Sequence, residues 1–219
     1  MPHDPMILTP GPVAVPDFIH EALSRPVIHQ RSPAFTEFFR EFQAQLQWLF
    51  QTEGPVLAFP ATGSQAVQIA MYSFLEAGDQ VVIQNNGKFS ARWDDYGIAQ
   101  GLNVWPLKSP WGDAPKPHSI IELLHEMDDP RAIVLTHCET STGAQIDLEE
   151  IAFAIKQQFP QILIIVDAIS TVGVQPYYHD AWSIDVSICT GQKGLFNPAG
   201  TAFVALGERA MATLPIPNF

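Results

Sequence analysis

Two periodicities alternate along most of this chain. The crowded prolines at 2, 5, 10, 12 and 16, around Gly11, predict that residues 1–16 form an extended, irregular arm. From Asp17 the pattern turns helical, with Phe18, Ile19, Ala22 and Leu23 on one face. Ser32 followed by Pro33 is an N-cap with proline at the first helical position. Phe35, Phe38, Phe39, Phe42, Leu46, Leu49 and Phe50 then recur at helical spacing until Gly54-Pro55 stops the helix.

Beyond that point short apolar runs and amphipathic segments take turns. Strands are predicted over residues 56–59, 80–83, 102–107, 131–136, 162–166, 184–189 and 201–206. Helices are predicted over 64–75, ended by Gly78, and over 90–100, ended by Gly101. A short helix near 119–127 follows a loop rich in proline, and Asp147 caps another, with Glu150 placed for a capping box. Residues 162–166 show no polar alternation, the pattern of a strand covered on both faces. Strands alternating with helices predict a three-layer α/β/α arrangement around a mostly parallel sheet. Residues 17–219 then form one domain behind the arm.

Composition narrows the function. At 219 residues, 47% hydrophobic and 16% charged, the chain can bury a substantial core. Its 11 Lys and Arg against 23 Asp and Glu, a net charge of −12, leave no basic surplus for nucleic acid or an anionic membrane. A local anion site built from backbone N–H groups stays open. The longest apolar run, residues 162–166, is too short to span a bilayer, and no secretory signal pattern opens the chain. Cys138 and Cys189 lack CxxC spacing and read as reduced thiols, so a cytoplasmic protein is expected. The seven histidines show no HxH or HExxH spacing, and no metal is expected.

Ligands of open α/β sheets bind beyond the carboxyl ends of the strands. After the first strand comes Pro60-Ala61-Thr62-Gly63-Ser64, a small turn at a helix N-terminus where orphan N–H groups and two hydroxyls are available. It is either an ordinary cap, with Ser64 capping, or an anion site. No G-x-G-x-x-G follows a strand, and Asn86-Gly87-Lys88-Phe89 lacks the features of a P-loop, so a phosphate held here is not a nucleotide's. Of five lysines, 88, 108 and 116 are in loops and Lys156 is expected on the solvent side of its helix. Lys193 differs: it lies in Thr190-Gly191-Gln192-Lys193-Gly194, between two glycines and two apolar strands. It is either a surface-turn lysine or an amine that burial keeps neutral for attack on a carbonyl. Asp167 ends the most apolar strand, where a carboxylate needs a partner. Its alternatives are a proton-holding contact to a heteroaromatic nitrogen, a metal ligand, or a helix cap.

A phosphate cup, an aspartate at a strand end and a later lysine, in that order, resemble a pyridoxal-phosphate enzyme of the aspartate-aminotransferase fold (fold type I). The details resemble the class-V aminotransferases, the alanine–glyoxylate and serine–glyoxylate (serine–pyruvate) group. The matching segments are Thr9-Pro10-Gly11-Pro12-Val13, Arg25 to Pro33, Thr62-Gly63-Ser64, Asn86-Gly87-Lys88-Phe89, Glu139-Thr140-Ser141-Thr142-Gly143, Val166-Asp167-Ala168 and Thr190 to Gly194 with Pro198 and Gly200. The resemblance implies pyridoxal 5′-phosphate as cofactor. It makes Lys193 the residue that forms the Schiff base and shuttles a proton between substrate Cα and cofactor, and Asp167 the partner of the pyridinium nitrogen. Thr62, Gly63, Ser64 and Gln192 would hold the phosphate, and Phe89 would stack on the ring where many relatives have Trp. Ser141 or Thr142 would lie near the ring's 3′-oxygen, and Gly11 near the substrate carboxylate.

The implied reaction moves an amino group between a small amino acid, serine or alanine, and a 2-oxo acid, glyoxylate or pyruvate, in a homodimer. The family continues into a smaller C-terminal domain bearing an Arg for the substrate carboxylate, whereas this chain stops at Phe219. The expectation is therefore a large-domain fragment, a shortened chain or a split gene product, with weak or absent transamination by this chain alone. Two alternatives stand beside it: a lyase of the same fold, which the strand-end cysteines disfavour, and a cofactor-binding chain without catalysis. The aromatic helix over 35–50 is an expected contributor to an interface or to packing of the absent domain.

Overall fold

Seven strands arrange in the order β1-β9-β8-β7-β4-β2-β3 in a computed structural model that describes residues 7–214. They are β1 (Val56–Pro60), β2 (Gln80–Asn85), β3 (Asn103–Lys108), β4 (Pro130–Thr136), β7 (Leu163–Asp167), β8 (Val186–Thr190) and β9 (Thr201–Leu206). Neighbours from β8 across to β3 run parallel, while β9 is antiparallel to both β1 and β8. The sheet is thus mostly parallel, as expected, with one reversed strand. A two-stranded hairpin, β5 (Cys138–Glu139) with β6 (Ala144–Gln145), was not anticipated.

Side-chain alternation along the central strands makes the three layers. Ile164 and Val166 of β7 join a core with Leu46 and Phe50 of α2 (Pro33–Phe50), Ile120 and Leu124 of α5 (Pro117–His125) and Ile151 and Ile155 of α6 (Leu148–Gln158). Leu163 and Ile165 face the other way, onto Val67 and Met71 of α3 (Gly63–Phe74), Trp93 of α4 (Ser90–Gln100) and Ala210 of α7 (Glu208–Thr213). Each such buried Ile or Leu contributes about 1.5–3 kcal/mol relative to exposure. Pro106 is tolerated in β3 because that strand pairs with β2 alone, at the sheet's edge.

Local signals held where they were strong. Ser32 Oγ accepts from Phe35 N–H at 3.2 Å with Pro33 at the start of α2, and Gly101 ends α4 with φ 84°. Helix α1 (Asp17–Leu23) begins where expected, and Asp147 accepts from Glu150 N–H, the forward half of the expected box. Other boundaries moved. Helix α2 ends at Phe50, with Gln51 left-handed at φ 54°, and not at Gly54-Pro55. The reason is distant: Asp180 accepts from Thr52 Oγ1 at 2.6 Å and from Glu53 N–H at 2.8 Å, pulling the chain out of the helix.

Lys156 is also corrected. Its Nζ turns inward, 2.7 Å from buried Asp185 Oδ2 and 2.6 Å from the Ile162 carbonyl, while Arg209 Nε reaches Asp185 Oδ1 at 3.1 Å. Part of the predicted arm, residues 1–6, lies outside the described residues; residues 7–16 contain no helix or strand, and Val13 N–H donates to the Gln192 carbonyl. Along α2 the rings form a ladder ending on Phe203 of β9, and Phe38, Phe39 and Trp48 remain exposed.

Candidate active site

The carboxyl ends of β1, β7 and β8 open on one cavity of about 280 Å³. Thr62, Gly63 and Ser64 line it at the start of α3, Asp167 at the end of β7, Gln192 and Lys193 after β8, Phe89 before α4, and Gly11 from the arm. Residues separated by as many as 182 positions thus share one small-molecule cleft. A larger hollow of about 690 Å³ lies elsewhere, beside Asp185 and Arg209, whose charges already pair with each other.

At the α3 end of the cleft, Thr62 is the cap. Its Oγ1 accepts from Gln65 N–H at 3.2 Å, and Gln65 Oε1 accepts from Thr62 N–H at 3.0 Å. The expectation that Ser64 caps is therefore corrected, and its hydroxyl instead accepts from Arg92 Nη1 at 2.7 Å. Free N–H groups at a helix N-terminus, a hydroxyl and a nearby guanidinium are a donor set suited to an anion.

Asp167 is buried, and its Oδ1 accepts from Ile169 N–H at 3.1 Å. Burial pushes its pKa up to about 7; the Ile169 bond opposes this, the Glu139 charge adds to it, and Lys193 and Arg92 oppose it. A carboxyl in that condition is completed by a cationic N–H, the complement of a protonated heteroaromatic ring. Lys193 is half-buried, with Nζ 3.4 Å from the Pro10 carbonyl. Burial lowers its proton affinity and the Asp167 charge raises it, which favours a free amine more than an exposed lysine would allow. Gly11 leaves room for it: at φ 142° a β-carbon there would sit 2.9 Å from Lys193 Nζ.

Phe89 lines the cavity, and the Arg92 guanidinium lies 5.4 Å from its ring centroid. Trp93, one turn further along α4, is a second aromatic wall, its Nε1 donating to Thr136 Oγ1. Neither Arg92 nor Trp93 was singled out from sequence, though spacings of three and four from Phe89 at the start of a predicted helix were the available signal. Ser141 and Thr142 do not line the cavity; their neighbour Thr140 does. The Ser141 hydroxyl is engaged by Lys88 N–H and Glu139 Oε1, and the Thr142 hydroxyl donates to the Glu139 carbonyl. Cys138 is a wall as well, its thiol pushed up by burial, and Cys189 is fully buried and pushed up to about 12. Neither thiol is poised as a nucleophile.

A mostly parallel three-layer α/β/α sheet thus brings a helix N-terminus, a buried carboxyl and an amine to one cleft at its strand ends. Residues 18–217 match the family Aminotransferase class-V, and the chain belongs to that family. It is 37% identical over 217 residues to a protein named soluble hydrogenase, small subunit, from Synechococcus sp. (strain PCC 6716), covering 96% of this chain and 56% of the relative. It is 32% identical over 211 residues to L-aspartate–glyoxylate aminotransferase from Paracoccus denitrificans, covering 94% of this chain and 52% of the relative. The solved structure of a subgroup IV aspartate aminotransferase from Thermus thermophilus superposes with a TM-score of 0.89 at 34% identity, over 98% of this chain and 60% of that one. The chain spans about half the length of the curated relatives it matches.

Proposed function

We propose that this chain binds pyridoxal 5′-phosphate in the cleft and carries the catalytic lysine of a transaminase that moves an amino group between a small amino acid and a 2-oxo acid. One observation carries the reading: a half-buried amine, a buried carboxyl and a helix N-terminus converge on a single cavity. Bound there, the cofactor supplies an aldehyde for the amine and a ring that withdraws electrons from the substrate Cα–H bond. The chain supplies the rest. Thr62, Gly63, Ser64 and Gln192 would hold the phosphate, Phe89 and Trp93 would flank the ring, and Thr140, which lines the cavity where Ser141 and Thr142 do not, would serve its 3′-oxygen. Asp167 keeps a proton on the ring nitrogen, and Lys193 Nζ takes and returns the proton at substrate Cα. Gly11, which lines the cavity beside Lys193, would face the substrate carboxylate.

The reading extends to residues 17–219 as the cofactor-binding large domain behind the arm 1–16, in a cytoplasmic homodimer to which the exposed Phe38, Phe39 and Trp48 contribute. Serine or alanine is the proposed donor and glyoxylate or pyruvate the acceptor. Relatives' names add aspartate as a donor to test and support glyoxylate. The hydrogenase name is not taken over: the cleft offers hydroxyls, amides, one amine, one carboxyl and a single thiol, Cys138, which suit an aldehyde, a cationic ring and an anion, whereas iron–sulfur clusters are held by several thiolates. Among the described residues no helix is long and apolar enough to cross a membrane.

The test is to add pyridoxal 5′-phosphate, reduce with borohydride and map the labelled peptide. Label on Lys193 is expected; label elsewhere, or none, removes the proposal. Loss of the visible cofactor band on adding alanine, serine or aspartate then identifies the donor.

A further inference from the structure

Glu139 is a carboxylate with no contact to the outside, 0% exposed, beneath the wall of the cleft. Its Oε2 accepts from Phe89 N–H at 3.0 Å and Ser90 N–H at 2.7 Å, the two amides that open α4. Its Oε1 accepts from Ser141 N–H at 3.1 Å and Ser141 Oγ at 2.6 Å. Ser141 Oγ in turn accepts from Lys88 N–H at 2.9 Å, so the two chain segments are tied twice. Gly87 packs so closely that a β-carbon there would lie 2.5 Å from Glu139 Cδ and 2.9 Å from Ser141 Oγ. A buried charge is retained only when fully hydrogen-bonded, and the positive end of a helix adds to its stabilisation.

We infer that Glu139 is the positioning residue of the cofactor cleft, clamping the segment that carries Phe89 onto the hairpin that carries Cys138 and Thr140. The inference rests on the cofactor reading above for its purpose, although the clamp itself does not. Phe89 and Thr140 are walls contributed by segments about 50 residues apart, and Glu139 is the group bonded to both. It touches neither amine nor cavity; it acts through the backbone of Phe89. Arg92 lies over the Phe89 ring without lining the cavity, so the ring is held at its backbone by one charge and at its face by another.

The test compares Glu139→Gln and Glu139→Ala with the unaltered chain by hydrogen exchange at the Phe89 and Ser90 amides, without cofactor, and by titration with pyridoxal 5′-phosphate. Glu139→Ala should speed exchange at those two amides at least tenfold and weaken cofactor binding about tenfold. Glu139→Gln keeps one acceptor oxygen and should restore part of both. Asp147→Ala, which uncaps α6 away from the cleft, should lower thermal stability and leave cofactor affinity unchanged. Unchanged exchange in Glu139→Ala overturns the clamp. Faster exchange with unchanged affinity reduces Glu139 to a structural residue and overturns the inference. If Glu139→Ala does not fold, Glu139→Gln decides by the same two readouts. Should the unaltered chain bind no pyridoxal 5′-phosphate, the functional reading fails and the positioning role with it, while exchange still judges the clamp.

Discussion

Arg92 Nη1 donates to Ser64 Oγ over 2.7 Å, joining the first turn of α4 to the first turn of α3 at one end of the cleft. Arg92→Ala removes a charge-assisted donor whose loss weakens a bound anion. We expect the dissociation constant for pyridoxal 5′-phosphate to rise about tenfold, since such bonds contribute ~1.5–3 kcal/mol. Binding of pyridoxal, which lacks the phosphate and keeps only the Phe89 ring that Arg92 covers, should weaken much less. Equal weakening of both ligands would place Arg92 outside the anion cup.

Asp167 sets a pH dependence of stability in the chain without cofactor. Its carboxyl is pushed up from 3.8 to about 7, chiefly by burial. An unfolded aspartate has released its proton by about pH 5, whereas the folded one keeps it until near 7. The folded state therefore binds more protons across that window, and stability falls as pH rises from about 4 to about 7. Asp167→Asn resembles the protonated form and lacks this slope. Its stability relative to the unaltered chain should grow by on the order of 2–4 kcal/mol between pH 4 and pH 8, read from urea unfolding. Parallel profiles would contradict the shift.

His137 and His179 act in the opposite sense. Burial pushes each down to about 4, with Asp147 opposing at His137, and Asp180 and Asp185 opposing at His179. The unfolded imidazoles take protons first on acidification, so this contribution is full above about pH 6.5 and is lost between about 6.5 and 4. Imidazole resonances of these two residues should hold their neutral positions to near pH 4–5. His179 Nδ1 bonds Ser187 Oγ at 2.7 Å, and His179→Gln should flatten the acid limb of the stability curve.

Lys156→Met breaks a buried pair far from the cleft. Asp185 keeps Arg209 and the Ile164 N–H, at 2.7 Å, so the loss should be ~2–4 kcal/mol, below the full cost of stranding a charge. A fall in Tm of roughly 5–12 °C follows for a domain of this size. Affinity for pyridoxal 5′-phosphate should stay as it was. A fall in affinity would mean that the pair reaches the site.

The readable part of the site was its order along the chain. Lys193 between glycines, Asp167 at a strand end and the Thr62-Gly63-Ser64 turn all stand out because each is a local departure from an apolar pattern, and all three line the cavity. Thr140, Arg92 and Trp93 were not legible in the same way. In the segment from Glu139 to Thr142, three neighbouring hydroxyls look alike in sequence. Only the bonds from Lys88 and Glu139, some 50 residues apart, decide that Ser141 is engaged elsewhere.

Hydrophobic period and glycine or proline punctuation act within a few residues, so the chain itself determined its seven main strands, most of its helices and the α/β alternation. Contacts between distant residues decided the remainder: the reversal of β9 between β1 and β8, the inward turn of Lys156, the early end of α2 at Asp180's pull, and the clamp around Glu139. Which strand a strand meets, and which buried charge finds a partner, depends on the energy of assembling the layers. That energy exists only once the layers are packed.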